Sequence, residues 1–278
     1  MGVLDEILAT KRDEVTRLRH PTTRKLLKST ALAAPPCRDF AGALRGRAAS
    51  IGDVEAGALS ATLGLIAEIK RRSPSKGELA PDLDAATTAK NYAAGNASCL
   101  SVLTDGPYFG GSMLDLDAAR DATALPALRK DFVIDEIQVF ETRAVGADAM
   151  LLIVAALDDE CLRDLLDAGI SLGLSVLVET HDEHEVERAL QAGATIVGVN
   201  SRSLQTFGED LRIAERLRSM IPSGVLAIAE SSIRSVEDAQ RMADAGFDAV
   251  LVGEGLVRSA DPTATCAAMT NCKVRRHT

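Results

Sequence analysis

Tryptophan is missing from this chain, and aromatic residues make up only 3% of its 278 positions. With 46% apolar residues, the core must be filled by Leu, Val, Ile and Ala. That suits layered α/β packing and disfavours an aromatic-rich β sandwich. Paired cysteines are also missing. Cys37, Cys99, Cys161, Cys266 and Cys272 are odd in number and form no C-x-x-C motif, so neither a disulfide framework nor a zinc site is expected, and a reducing, cytoplasmic setting is. No apolar run reaches the roughly 18 residues that a membrane span needs, and the first eight residues carry acidic side chains in place of an apolar signal region. Excess positive charge is lacking too: 31 basic against 40 acidic residues gives −9. Phosphate-backbone binding needs clustered Lys and Arg, so neither nucleic acid nor a membrane is an expected partner. Lys273, Arg275 and Arg276 read as a solvated tail.

What is present is a repeated unit. Four segments end a helical stretch in Ala-Gly or Val-Gly (Gly95, Gly146, Gly193, Gly246) and then start a short apolar run. A glycine just past a helix supplies a left-handed cap that lets the chain reverse. These glycines recur about every 50 residues, with a second strand inside each interval, so one strand and one helix take about 25 residues, the rhythm of a parallel sheet. Eight strands are expected, over 65–70, 99–103, 126–130, 149–154, 175–179, 195–200, 225–230 and 249–253. Helices are expected over 135–145, 158–172, 182–191 and 235–245, each opening on an Asp or Ser able to cap its first turn. Eight such units predict a (βα)8 TIM barrel, with an open doubly wound sheet as the alternative. Residues 1–278 then form a single domain, with the barrel over 65–262. The N-terminal helical extension of 1–62 contains helices over 3–18 and 37–44 and a loop over 48–62, and it could cover the barrel floor or overhang its mouth.

Charged residues sit where the apolar runs end. The first strand closes on Glu68 and Lys70, which share one face because side chains alternate along a strand. The third closes on Lys130, the fifth on Glu179, the sixth on Asn200 with Arg202 just beyond, and the seventh on Glu230, Ser231 and Ser232. In a barrel these ends converge on the catalytic face. Charges crowded together must pair, and pairing shifts their pKa values in ways that suit acid–base work. Two segments read as phosphate grips: Ser73 to Gly77 after the first strand, and Gly253-Glu254-Gly255, which follows the eighth and opens a helix. His181 and His184 read as residues of a charged helix start rather than metal ligands, and no metal is expected.

Several stretches resemble the indole-3-glycerol-phosphate synthase family. They are LIAEIKRRSPSKG at 65–77, SVLTD at 101–105 with FGGS at 109–112, LRKDFVID at 128–135 with Gln138, and GAD at 146–148 with LLI at 151–153. VETH at 178–181, GVNSRSL at 198–204, AES at 229–231 and LVGE at 251–254 continue the series. They run in order along the chain, and matches to the family span residues 3–262. The resemblance implies a carboxy-lyase of tryptophan biosynthesis that closes the ring of 1-(2-carboxyphenylamino)-1-deoxyribulose 5-phosphate, with loss of carbon dioxide and water. It implies no cofactor. By motif, Lys130 corresponds to the general acid at the ketone and Lys70 to a second catalytic lysine that contacts substrate anions. Glu179 and Glu68 correspond to carboxylates that tune the lysines or act as base. Asn200, Arg202, Glu230 and Ser231 correspond to substrate-binding positions, and Ser73, Ser232, Gly253 and Glu254 to the phosphate site. The partner expected is thus a small phosphorylated, carboxylated molecule, with the protein a monomer or weak homodimer.

Three positions depart from the pattern. Ser232 and Asn96 stand where glycine is usual, and Gly110 where glutamine is common. If position 232 needs positive φ, serine there should weaken binding, unless its hydroxyl donates to the phosphate. Two other readings compete. Another phosphate-binding barrel, such as phosphoribosylanthranilate isomerase, would rely on a Cys/Asp pair, and no cysteine ends the first strand. A degenerate barrel kept for binding fits poorly with an intact set of Glu68, Lys70, Lys130 and Glu179.

Overall fold

The computed structural model describes residues 2–45, 62–202 and 208–275. Eight parallel strands close into a barrel: β1 (Gly64–Ile69), β2 (Cys99–Leu103), β3 (Ala127–Lys130), β4 (Ala149–Ile153), β5 (Ser175–Thr180), β6 (Ile196–Asn200), β7 (Leu226–Glu230) and β8 (Ala249–Val252). Each pairs with its chain neighbours, and β8 closes the ring on β1 with Gly64 opposite Ala249. This is the expected (βα)8 barrel, each strand beginning and ending within one residue of its predicted bounds. The open sheet is excluded by the β1–β8 pairing.

The three N-terminal helices are α1 (Val3–Leu18), α2 (Pro21–Ala33) and α3 (Phe40–Leu44). Around the barrel run α4 (Ala85–Ala94), the one-turn α5 (Gly106–Phe109), α6 (Met113–Ala122), α7 (Glu136–Ala144), α8 (Asp159–Ser171), α9 (Glu183–Gln191), α10 (Leu211–Arg218), α11 (Val236–Asp244), the short α12 (Glu254–Val257) and α13 (Pro262–Thr270). Local chemistry starts them. Asp84, Ser112, Asp135, Asp158, Asp182, Asp210, Ser235 and Asp261 each precede a helix, and their side chains accept first-turn amide hydrogens. The cap residue lies outside the helix proper, so the helices predicted to begin at 135, 158, 182 and 235 begin one residue later. The helix predicted over 37–44 starts at Phe40, because Asp39 caps it. α2 and a two-residue hairpin, Arg72–Ser73 against Gly77–Glu78, are additional to the expected elements. The loop expected over 48–62 falls largely outside the described residues; Thr62 itself bridges to Lys273, so part of the expected free tail is tied down.

The four turn glycines divide. Gly146, Gly193 and Gly246 have φ of 84°, 93° and 90°. Gly95 does not: its φ is −84°, and the left-handed residue is Asn96, at 63°. Gly95 is needed for a different reason. A Cβ there would lie 2.5 Å from the Thr263 carbonyl oxygen and 2.6 Å from Cys266 Cβ, so its smallness lets α4 approach α13.

The extension does both things left open for it. α3 seals the floor, where Phe40 and Leu44, both fully buried, pack with Ile66, Cys99, Leu128, Ala149, Ile196 and Ala249. α1 lies over the opposite end and lends Val3, Leu4 and Ile7 to the mouth. It is pinned there by Lys11, a buried ammonium 2.8 Å from Asp131 and 2.9 Å from Asp105. Burial alone would lower the Lys11 pKa, but Asp131, Glu14 and Asp105 outweigh it and raise it. A buried charge is tolerated only when so paired.

Candidate active site

Strand alternation and register bring the charged ends together. Lys130, last in β3, reaches across the mouth to Glu179 on β5 at 2.5 Å and Glu230 on β7 at 2.9 Å. Beside them Lys70, just past β1, meets Glu68 at 2.5 Å. Asn200 at the end of β6 donates from Nδ2 to the other oxygen of Glu179 at 3.0 Å. Arg202 donates to Ser75 Oγ at 3.0 Å and Glu209 at 2.7 Å. All these groups except Glu209 line one pocket together with Ser231, Ser232, Gly253 and Glu254. Ser73 is not on that wall. It is buried in the hairpin, and Pro74 and Ser75 face the pocket in its place.

Two glycines make room for the charges. A Cβ at Gly198 would sit 2.0 Å from Glu230 Oε1. One at Gly253 would sit 2.3 Å from Glu68 Oε1 and 3.0 Å from Lys70 Nζ. Ser231 and Ser232 have φ of 65° and 61°, a left-handed conformation that residues with a Cβ adopt only at a cost. Position 232 therefore does require the geometry that glycine would give freely. The Ser232 hydroxyl is buried and has no hydrogen-bond partner among the described residues.

The electrostatics follow from burial and pairing. Burial alone would lower the Lys130 pKa, but the nearby carboxylates, Glu179 first, outweigh it and hold the ammonium charged well above its ordinary range. Burial would raise Glu179, yet Lys130 and then His181 hold it well below the usual carboxylate range. Glu230 goes the other way. Burial, with repulsion from Glu179, overcomes the pull of Lys130 and pushes it up to about 7. Among the described residues its Oε1 has no hydrogen-bond partner.

The same pocket has apolar lining: Leu4 and Ile7 of α1 with Phe109, Phe132 and Leu151, and the two phenylalanine ring centroids lie 6.1 Å apart. Sequence reasoning missed these residues, Gly198 and the contacts of His181. Only the apolar spacing of α1 and the FGGS and KDF motifs hinted at them. His181 is held by Glu185 and faces Glu179, and His184 is exposed, so the pair does not converge.

A closed parallel barrel with two carboxylate-held lysines at the carboxyl ends of its strands has the architecture of a (βα)8-barrel enzyme, with its charged groups at the end where such enzymes place their sites. The sequence profile of indole-3-glycerol phosphate synthase matches residues 4–269. An indole-3-glycerol phosphate synthase from Mycobacterium ulcerans is 48% identical over 265 residues, covering 95% of this chain and 92% of that protein. Another, from Chlorobium phaeovibrioides, is 46% identical over 261 residues, covering 94% and 96%. The chain belongs to the indole-3-glycerol phosphate synthase family, whose members are carboxy-lyases. Among solved structures, thiamine phosphate pyrophosphorylase from Pyrococcus furiosus superposes with a TM-score of 0.57 at 16% identity, covering 74% of this chain and 93% of that one. 3-Hexulose-6-phosphate synthase from Salmonella typhimurium does so with 0.57 at 16%, covering 75% and 97%. At that identity the likeness is one of fold.

Proposed function

We propose that the pocket closes the ring of 1-(2-carboxyphenylamino)-1-deoxyribulose 5-phosphate to give indole-3-glycerol phosphate, carbon dioxide and water. The observation that carries this reading is Lys130, held between Glu179 and Glu230 beside the Lys70–Glu68 pair, in a pocket that also has apolar lining. The substrate has matching parts: an aromatic ring for the apolar lining, a carboxylate and a ketone for the lysines, and a phosphate for the backbone around Ser232, Gly253 and Glu254.

The ring carbon bearing the carboxylate attacks the ketone carbon, and the carbonyl electron pair moves to oxygen. Lys130 delivers its proton to that oxygen. A proton held as tightly as this one leaves only for a strong base, which the developing alkoxide is. Loss of carbon dioxide returns its bonding pair to the ring and restores aromaticity. The new hydroxyl then leaves as water, protonated by Lys70, which Glu68 orients. Glu230 takes the proton from the adjacent carbon, since its free oxygen and its pKa near neutrality suit a base. Glu179 stays an anion and holds Lys130. Asn200 and Arg202 position the substrate, and Ser231 shapes the turn beside the phosphate. Ser73 supports the hairpin that carries Pro74 and Ser75. The steps are proton transfers, carbon–carbon bond changes and the carbon–oxygen cleavage that releases water, all of which these side chains can serve.

We further infer that residues 1–278 act as one domain, a monomer or weak homodimer in the cytoplasm, for which the five free thiols argue. The experiment is to incubate the purified protein with the carboxyphenylamino-deoxyribulose phosphate and follow indole fluorescence. Turnover is expected, and its absence would sink the proposal.

A further inference from the structure

Glu179 is gripped from two sides, and the mechanism above uses only one of them. Oε2 accepts from Lys130. Oε1 accepts from Asn200 and also faces His181 Nε2 at 3.4 Å, within charge contact. His181 follows β5 directly, with 11% of its side chain exposed. Its position is set from the other end, where Glu185 of α9 accepts from its backbone N–H at 2.8 Å and lies 2.9 Å from Nδ1. To donate to Glu185, Nδ1 must carry hydrogen. Nε2 is buried and makes no hydrogen bond among the described residues. A neutral ring would leave its lone pair beside the Glu179 carboxylate, whereas a doubly protonated ring sets a positive charge against both carboxylates.

We propose that His181 is a positioning residue for this reaction: an imidazolium, anchored by Glu185, that keeps Glu179 ionised and aimed at Lys130. The charged groups around it are Glu179 of β5 and Glu185 of α9, with Lys130 of β3 and Glu230 of β7 one carboxylate further on. β6 contributes the neutral Asn200, and the 3-10 turn at Val154–Ala156 contributes no ionisable side chain. The charge balance agrees. Burial alone would lower the His181 pKa, but Glu179 and Glu185 outweigh it and push it up to about 10.

The inference rests on the role proposed for Glu179, and the test separates the two. In His181→Leu and His181→Gln, kcat should fall about tenfold, a modest loss for an outer partner of a working group, while KM stays within about twofold. The acid limb of kcat/KM should move to higher pH, because Glu179 without the cation protonates sooner. In a Glu179→Gln background the His181 substitutions should add almost nothing. A folded His181→Gln variant with the parent kcat and pH profile overturns the proposal, as does a loss that persists in the Glu179→Gln background. His181→Gln keeps a polar donor of similar size and carries the test should the leucine variant not fold. If Glu179→Gln alone were fully active, the role of Glu179 would fall as well; if it is slow while His181→Gln is normal, only this inference falls.

Discussion

The two ends of the barrel are made by the same eight strands and differ in almost everything else. At the floor, Phe40 and Leu44 of α3 sit in a ring of aliphatic side chains that meet no water. At the mouth, five charged side chains crowd together, two glycines are kept small to admit them, and two consecutive serines hold left-handed backbone. The floor is what packing favours. The mouth runs against it, with buried charge and positive φ. The difference teaches where stability and chemistry reside: substitutions at the floor should change the unfolding free energy, and those at the mouth should change rate.

The comparison can be broken at either end. Glu179→Gln should lower kcat about 100-fold, because a misplaced Lys130 loses its approach to the ketone; steady-state fluorescence kinetics give the answer, and a smaller effect than at the floor would blur the division. Phe40→Ala should cost about 3–5 kcal/mol in denaturant unfolding, with kcat per folded molecule nearly unchanged. A large fall in kcat there would show the floor to be part of the machinery.

Two smaller effects sharpen the picture. Gly198→Ala places a Cβ where Glu230 Oε1 now lies and should reduce kcat/KM about tenfold through displacement of that carboxylate. Ser232→Gly relieves a left-handed strain of order 1 kcal/mol and should lower KM a few-fold. An unchanged KM would mean that the serine hydroxyl compensates for the strain.

The barrel was legible because its strands are short aliphatic runs, four of them announced by a turn glycine and five closed by charged or polar residues. That punctuation is local and survives in one dimension. The convergence of Lys70, Lys130, Glu179 and Glu230 was legible because strand ends in a parallel barrel share one face. Other features were set by tertiary context. α2 buries only Ala31 among its residues, so its apolar spacing is too weak to announce a helix. The hairpin at Arg72–Ser73 is too short for any period to show, and its fold takes Ser73 off the pocket wall. At the first of the four turns the left-handed residue is Asn96, while Gly95 is kept small by α13, a contact some 170 residues away in the chain. His181 reads from sequence as a helix-start residue, and only the approach of Glu179 and Glu185 gives it another part.

The central claim is that the mouth works through the Lys130 proton. The direct measurement is the rate of indole fluorescence for Lys130→Ala against the parent protein at saturating substrate. kcat should fall by about 100-fold or more, the contribution of a positioned general acid. A rate within a few-fold of the parent would contradict it.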